Sequence, residues 1–339
     1  MQNILVVAPS WVGDCMLMQP MLLRLKQRFP GSAIDVLAPP WTVSLLKQMP
    51  EVNDVIVNPF PHGALQLLAR YRLGKQLRSK QYDAAYILPN SLKSALVPFF
   101  ADIPLRIGFV GEMRYGLLND ARKLDKQKLP LMVERFSQLA EATPNEMPSA
   151  IPQPHLSVSD EQRRHVLHKH GLTLEQRVAI FCPGAEYGPA KRWPIPYFAE
   201  LAQRLREQGY AVWLLGSSKD KEVGEKIVAL GNGNCRNLCG ETDLSEAITL
   251  LSSAALVVSN DSGLMHIAAA MDRPLIAIFG SSSPQFTPPL SDKAQVLKLD
   301  LPCSPCFKRE CPLGHFNCMM QLTPSTVAQH IPVILEKQP

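Results

Sequence analysis

The chain has 339 residues, of which 46% are hydrophobic and 19% are charged. A single hydrophobic core stops growing beyond roughly 250 to 300 residues, so this length predicts two domains. Its apolar runs, such as residues 254–258, are far shorter than the ~20 residues that cross a bilayer. The first residues also lack the basic region and long apolar run of a signal peptide, which predicts a cytoplasmic protein.

The formal net charge is +5, and the whole surplus lies in the first half of the chain. Residues 1–155 hold 17 Lys and Arg against 12 Asp and Glu, whereas the later residues hold 18 of each kind. A basic N-terminal domain suits an anionic partner such as a phosphorylated lipid, a membrane surface or nucleic acid, although a solvated surface is the simpler explanation. A nucleic-acid-binding module is not favoured, because the cations show no interleaving with aromatic residues.

Short β-rich runs alternate with helical stretches from the start of the chain. Strands are predicted at residues 4–8, 33–38, 52–57 and 83–88, and helices at 16–29, 64–80 and 92–100. Such alternation with short connections predicts a parallel sheet that is covered by helices on both faces. Residues 143–154 then contain four prolines in twelve positions, which predicts a linker and a domain boundary.

The second half repeats the alternation after a polar helix at residues 160–170. Further strands are predicted at residues 178–182, 211–215, 256–259 and 274–279, and helices at 195–208, 220–230, 244–253 and 264–271. The fold class is therefore α/β with two doubly wound sheets, in domains 1–155 and 156–323. A helix at about residues 324–339 is predicted to pack back on the first domain.

Ligands of open α/β sheets bind beyond the carboxyl ends of the strands, which directs attention to four loops. In the first loop, PSWVGD, Gly13 allows close approach of the backbone to a ligand. Asp14 lies at the start of the following helix, where the positive end of the helix dipole favours a carboxylate. It is interpreted either as a helix cap or as a functional group.

The second loop, PGAEYGPAKRWP, ends in Lys191 and Arg192 just before a helix that begins with proline. Adjacent cations on such a loop fit either a bound diphosphate or a solvated turn, and the Gly-Lys-Ser/Thr ending of a P-loop is absent. In the third loop, the backbone N–H groups of Ser262 and Gly263 are predicted to form an anion site at a helix N-terminus. His266 follows one helical turn after Ser262 and is predicted to face the same pocket.

The fourth loop, residues 216–222, carries carboxylates that are able to accept hydrogen bonds from ribose hydroxyls. With the second and third loops it is predicted to line one crevice in the second domain, which Asp14 would face from the first.

Three of these loops, PSWVGD, PGAEYGPAKRWP and NDSGLMHIAAA, resemble those of the heptosyltransferase family of bacterial lipopolysaccharide synthesis, glycosyltransferase family 9. LPNSLKSALVPFFA and GEMRYGLLND further resemble the members that extend the first heptose. The resemblance covers nearly the whole chain. It implies the GT-B fold, in which two Rossmann-like domains face a central cleft.

The resemblance also implies an activity. It implies inverting transfer of L-glycero-D-manno-heptose from ADP-heptose to the first heptose of the inner core, heptosyl-Kdo2-lipid A, without a metal ion or other cofactor. The alternatives are a member that acts on Kdo2-lipid A, and a GT-B-fold sugar-nucleotide epimerase or hydrolase. The expected partners are ADP-heptose and the lipid A-linked acceptor but no nucleic acid, with peripheral contact at the cytoplasmic face of the inner membrane left open.

The residue roles follow from the same resemblance. Asp14 matches the family's catalytic base. Residues matched to the donor site are Gly184, Ala185, Lys191, Glu222, Asp261, Ser262, Gly263 and His266. The residues favoured for the acceptor are Ser10, Lys93 and Arg114, ahead of Arg106 and Arg122.

Four of the eight cysteines form a cluster with the spacing C-x2-C-x4-C-x6-C. They are Cys303, Cys306, Cys311 and Cys318, with His315 among them. The opening C-x2-C is a common ligand pair for structural Zn²⁺. A cytoplasmic location argues against stable disulfides, and the family's chemistry needs no metal, so reduced thiols are favoured over a metal site.

Overall fold

The computed structural model describes residues 1–61, 63–143, 146–148, 150–233 and 235–336. The chain divides into two compact units, residues 1–154 and 155–339. The division falls at the end of the predicted linker, whose described residues form neither helix nor strand. Residues 144, 145 and 149 of that linker lie outside the described part.

The first unit is built on a six-stranded parallel sheet. Its strands are β1 (Asn3–Val7), β2 (Ala33–Ala38), β3 (Asp54–Val57), β4 (Ala84–Ile87), β5 (Leu105–Phe109) and β6 (Asp120–Arg122). The order across the sheet is β3-β2-β1-β4-β5-β6. The direction of the order reverses between β1 and β4, so the loops that follow these two strands flank a topological switch point.

Five helices accompany this sheet in the described residues. They are α1 (Val12–Arg28), α2 (Val43–Leu46), α3 (Leu67–Leu77), α4 (Leu96–Phe100) and α5 (Met132–Leu139). Short 3₁₀ helices precede α2 and α4, and another extends α3. The apolar residues of α1 are buried from Cys15 to Leu22, as expected for a helix that packs on a sheet.

The second unit repeats the architecture. Its strands are β7 (Arg177–Cys182), β8 (Tyr210–Leu214), β9 (Cys235–Asn237), β10 (Leu256–Asn260), β11 (Leu275–Phe279) and β12 (Ala294–Lys298). The sheet order is β12-β11-β10-β7-β8-β9, which is the order of the first sheet, and every pairing is parallel. Here the switch point lies between β7 and β10.

The helices of the second unit include three short ones near the C-terminus. In chain order the helices are α6 (Asp160–Lys169), α7 (Ile195–Glu207), α8 (Lys221–Leu230), α9 (Leu244–Leu251), α10 (Gly263–Ala270), α11 (Asn317–Met320), α12 (Pro324–Gln329) and α13 (Ile331–Glu336). Within the part of the chain that the structure describes, no helix is both long and apolar enough to cross a membrane.

The C-terminal segment packs differently from the sequence-based expectation. We predicted that residues 324–339 return to the first domain, but α12 packs against α7, and α13 against β11. Val327, Ile331 and Ile334 are buried in the apolar core of the second unit. Their helical spacing places them on one apolar face, which packs into that core. Residues 337–339 lie outside the described residues.

Candidate active site

The loops after β7 and β10 leave the switch point of the second sheet and carry most of the predicted donor residues. Asn260, at the end of β10, joins the two loops. Its side-chain amide donates to the carbonyl oxygen of Pro183 at 2.7 Å and accepts from the backbone N–H of Trp193 at 3.0 Å. Asn260 is fully buried, so these bonds fix the loop of residues 183–194 against the end of β10.

Lys191 and Asp261 meet at this position. The Lys191 ammonium lies 2.5 Å from Oδ2 of Asp261, and the Ser282 hydroxyl donates to the same oxygen at 2.5 Å. The Asp261 side chain is 5% exposed and the Lys191 side chain is 18% exposed. The structure thus brings together two residues that lie 70 positions apart, as the sequence predicted, and leaves the cation with partial access to solvent.

His266 lies on α10, close enough to Lys191 and Asp261 to interact with both charges. It is buried, and burial lowers the pKa of its imidazole to about 4, while Asp261 acts to raise it and Lys191 to lower it. The ring is therefore neutral at pH 7 and presents one donor and one acceptor nitrogen. The structure therefore places His266 close to Lys191 and Asp261, and its contact with a ligand stays a prediction.

The N-terminus of α10 lies next to the Lys191–Asp261 pair. Ser262 is the N-cap residue in extended conformation, and its side chain does not cap the helix. Its hydroxyl lies 3.3 Å from that of Ser259. The helix provides no internal acceptor for its first N–H groups, so the amides near Gly263 suit an anion.

The space that a side chain at position 184 would need is filled by the side chain of Asp220. A Cβ atom at this position would lie 2.4 Å from Cγ of Asp220, so only glycine fits. Asp220 accepts hydrogen bonds from the N–H and hydroxyl of Ser217 and lies 4.0 Å from the Arg192 guanidinium. The neighbouring Ala185 is buried. Asp220 is a carboxylate of the predicted crevice that the sequence analysis did not single out.

Glu222 projects into solvent from the first turn of α8. Its carboxylate is 75% exposed and pairs with Lys226 one turn later, at 2.6 Å. The hydrogen bond from Lys226 lowers the pKa of Glu222. The carboxylate is thus ionised and accessible, and it would have to leave Lys226 to reach a ribose.

Two residues outside the predicted set, Tyr187 and Arg309, lie near Lys191. The ring of Tyr187 is close to two cations, with the Lys191 ammonium 5.2 Å and the Arg309 guanidinium 5.3 Å from its centroid. Tyr187 also donates to the carbonyl of Phe307 at 2.8 Å. Arg309 is far from Tyr187 in the sequence and does not follow a strand, so no sequence pattern predicted its position.

In the first unit, Ser10 lies in the loop after β1 and Asp14 lies shortly after that loop. The helix α1 begins at Val12, and Trp11 is its N-cap residue, so Asp14 lies in the first turn and is not the cap. Its side chain is half-buried. The indole N–H of Trp41, from the loop after β2, donates to the carbonyl oxygen of Ser10 at 2.8 Å and holds this loop in place. A carboxylate in the first turn is favoured by the helix dipole.

Arg114 is a structural residue and not an exposed acceptor ligand. It is buried, and its guanidinium donates to the carbonyl oxygens of Pro89 and Phe109, both at 2.6 Å. A further bond reaches the hydroxyl of Ser94 at 3.0 Å. Burial lowers its pKa to about 10. These bonds consume the donors that an anionic acceptor would need.

Two of the remaining basic candidates are also occupied. Arg106 donates to the carbonyl oxygens of Leu117 and Ile103, and Arg122 donates to those of Gln138 and Glu141. Lys93 differs, because its ammonium makes no hydrogen bond or ion pair within the described residues. Lys93 lies after β4, at the switch point that also carries Asp14.

The four cysteines of the C-terminal cluster line one small cavity together with His315. All four are free thiols. The backbone N–H of Phe316 donates to Sγ of Cys311 at 3.4 Å and is the main cause of its lowered pKa. In the described part of the chain, no three His, Cys, Asp or Glu side chains are placed to hold a metal ion.

Comparison with known proteins places the chain in a family. The sequence profile of glycosyltransferase family 9 (heptosyltransferase) matches residues 70–317. The chain belongs to this family. It is 49% identical over 342 residues to lipopolysaccharide heptosyltransferase 2 of Escherichia coli (strain K12), a match that covers 98% of each protein. It is 47% identical to lipooligosaccharide heptosyltransferase 2 of Haemophilus influenzae, over 99% of this chain and 100% of that protein.

A solved structure agrees with these sequence matches. The chain superposes on the structure of E. coli ADP-heptose lps heptosyltransferase II with a TM-score of 0.89 at 46% identity, covering 100% of this chain and 99% of that one. The predicted α/β GT-B fold and the prediction of a glycosyltransferase are both confirmed. Both relatives carry the name heptosyltransferase 2, which favours the main prediction over an epimerase or hydrolase.

Proposed function

We propose that this enzyme transfers L-glycero-D-manno-heptose from ADP-heptose to the first heptose of the lipopolysaccharide inner core, heptosyl-Kdo2-lipid A. The first domain, residues 1–155, binds the acceptor, and the second domain binds the donor. The observation that carries the proposal is the Lys191–Asp261 pair beside the N-terminus of α10, at the switch point of the second sheet. A cation and free helix amides suit a diphosphate, and a carboxylate suits sugar hydroxyls.

Donor activation follows from the charges at this site. As the bond between the anomeric carbon and the diphosphate breaks, negative charge grows on the leaving ADP. Lys191 and the amides of Ser262 and Gly263 stabilise that charge. Asp261 orients Lys191, and the neutral His266 hydrogen-bonds the sugar or phosphate. Glu222 contacts the ribose, and the backbone of Gly184 and Ala185 borders the donor.

Attack by the acceptor requires removal of a proton. Asp14 accepts the proton of the acceptor hydroxyl as its oxygen bonds to the anomeric carbon, on the face opposite the leaving ADP, so the configuration inverts. Ser10 and Lys93 contact the acceptor. No divalent ion takes part in the proposed reaction, since Lys191 and the helix amides neutralise the diphosphate. Loss of turnover in EDTA that is restored by added Mg²⁺ would contradict this part of the proposal.

The acceptor is anchored to a lipid, which determines where the enzyme must work. We place it at the cytoplasmic face of the inner membrane, in peripheral contact with the lipid surface. The basic surplus of residues 1–155 supports this location, because anionic headgroups attract juxtamembrane cations.

The decisive experiment offers the enzyme both acceptors. Purified protein is mixed with ADP-heptose and either Kdo2-lipid A or its mono-heptosylated form, and products are identified by mass spectrometry. Only the mono-heptosylated acceptor should gain a heptose. A heptose on Kdo2-lipid A would assign the first transfer instead, and release or epimerisation of the sugar without acceptor would reject the transferase proposal.

A further inference from the structure

The helix α3 buries one arginine and exposes two leucines near its N-terminus. Its inner face holds the charged Arg70, whose guanidinium donates to the carbonyl oxygens of Leu65 and Lys93 and lies 4.1 Å from the ring centroid of Phe60. Its outer face holds Leu67 and Leu68, which are 49% and 72% exposed. Leu73 and Leu77 of the same helix pack into the core of this unit, whereas Leu67 and Leu68 do not, so burial in that core does not account for the two exposed leucines.

The exposed residues form one continuous surface. Leu68, Tyr71, Arg72 and Lys75 follow the spacing i, i+3, i+4, i+7 and share one face of α3. The ring of Tyr71 packs edge-on against Phe100 of α4, with centroids 5.3 Å apart, and Phe99 lies 5.6 Å from Phe100. The α3 surface is defined by Leu67, Leu68, Tyr71, Arg72, Lys75 and Phe99.

The surface is rigid because α3 and α4 approach closely. A Cβ atom added at Gly74 would lie 2.5 Å from Cβ of Phe100 and 2.9 Å from the carbonyl oxygen of Val97, so a side chain there would push the helices apart. The two helices therefore present their exposed rings and leucines as one preformed face.

Cations border the apolar part of this surface. The Lys75 ammonium lies 5.7 Å from the ring centroid of Tyr71, and the Arg106 guanidinium lies 5.6 Å from that of Phe99. Residues 55–101 contain six Lys and Arg and a single carboxylate, Asp83. Leucine and aromatic side chains with adjacent cations are the composition of segments that lie in the interface of an anionic bilayer.

We propose that the α3 surface docks on an anionic phospholipid bilayer, with Leu67, Leu68, Tyr71 and Phe99 inserted at the headgroup level and Arg72 and Lys75 on the lipid phosphates. The inference rests on the proposed function in one respect: a lipid-anchored acceptor explains why this protein contacts a membrane. Docking itself needs neither donor nor acceptor, so vesicle binding and heptose transfer can fail separately.

The test measures cosedimentation of the purified full chain with vesicles. One set contains phosphatidylcholine alone, and the other contains phosphatidylcholine with about one third phosphatidylglycerol. Binding should be at least tenfold tighter to the anionic set. The Leu67→Gln/Leu68→Gln variant should lose at least tenfold in affinity, and Arg72→Gln/Lys75→Gln about fivefold for each charge removed, with a weaker dependence on salt.

Matched control variants change similar residues elsewhere. Leu230→Gln removes an exposed leucine of α8, and Arg164→Gln/Arg206→Gln removes two exposed charges of the second unit. Both should bind vesicles like the unmodified protein. Because the altered side chains are exposed, melting temperatures should stay unchanged in all variants, which separates docking from folding.

Three results would overturn the proposal. The first is equal binding of the α3-surface variants and the controls, and the second is equal affinity for neutral and anionic vesicles. The third is a dimer, detected by light scattering, that the Leu67→Gln/Leu68→Gln variant dissociates while vesicle binding persists, because this would assign the surface to a second copy of the chain.

Discussion

The ammonium of Lys191 lies 2.5 Å from Oδ2 of Asp261, and the same oxygen accepts a hydrogen bond from Ser282. The pair is largely removed from water, so each charge depends on the other. In the proposed donor site, the ammonium bridges Asp261 and a phosphate without leaving its place. The fold itself holds this cation in position through Asp261.

Removal of Lys191 should affect both stability and donor binding. Lys191→Ala leaves the Asp261 carboxylate buried with Ser282 as its remaining partner, which should lower the free energy of unfolding by about 1 to 3 kcal/mol. ADP affinity should fall at least tenfold, since a charge-assisted hydrogen bond is lost. Denaturant titration and calorimetry with ADP measure the two effects.

Lys293→Ala serves as the matched control for Lys191. Lys293 pairs with Asp272 at 2.7 Å, but Asp272 is 55% exposed. Loss of this pair should cost less than about 1 kcal/mol and leave ADP affinity unchanged. Adding Asp261→Asn to Lys191→Ala should restore much of the stability without restoring ADP binding. Unchanged ADP affinity in Lys191→Ala would remove this residue from the donor site.

His266 should make stability depend on pH. Its folded-state pKa of about 4 lies below the ordinary value of 6.5, so the unfolded chain binds the proton more tightly. The stabilisation is present above pH 6.5 and is lost as the pH falls from 6.5 towards 4. By linkage the loss reaches about 2 kcal/mol at pH 5.

A His266→Gln variant isolates this contribution. Other groups titrate equally in both proteins, so the difference between their free energies of unfolding should shift by about 2 kcal/mol from pH 7 to pH 5. Parallel pH profiles in urea titrations would show that the imidazole is not held neutral by the fold.

Asp14 should matter for turnover and not for folding. Asp14→Asn keeps the size of the side chain but removes the base, so kcat should fall by about two to four orders of magnitude. ADP affinity and melting temperature should remain close to those of the unmodified protein. Asp125→Asn, an exposed aspartate of the same unit, is the control and should retain activity. Near-normal turnover of Asp14→Asn would leave this carboxylate with a purely structural role.

Arg114 and Lys93 should behave in opposite ways although both are basic residues near β4. Arg114→Ala removes the buried guanidinium that donates to the carbonyl oxygens of Pro89 and Phe109 and leaves a cavity in its place, which should cost about 3 kcal/mol or more of stability. Lys93→Ala should leave the melting temperature unchanged and raise the KM for the acceptor. A normal melting temperature for Arg114→Ala, or a normal acceptor KM for Lys93→Ala, would reverse these assignments.

Much of the fold was readable in the sequence because its signals are local. The strand at 33–38 was predicted with its observed bounds, and most other predicted elements were displaced by only a few residues. The strands β5, β6, β9 and β12 were not predicted. Of these, β6 and β9 have three residues each and contain charged or polar side chains. Their hydrogen-bonding partners, β5 and β8, define them as strands, and a pattern within the sequence cannot show this.

The sequence by itself also identified the family, because the loop motifs that carry the resemblance are local in the chain, and it identified the two loops in which Lys191 and Asp261 lie. The tertiary structure decided the state of each side chain. It joined Lys191 to Asp261, buried Arg114 and left the Lys93 ammonium without a hydrogen bond or ion pair among the described residues. It also buried Arg70 while exposing Leu68. Burial and pairing depend on which elements meet in space, and residues far apart in the chain supply those partners.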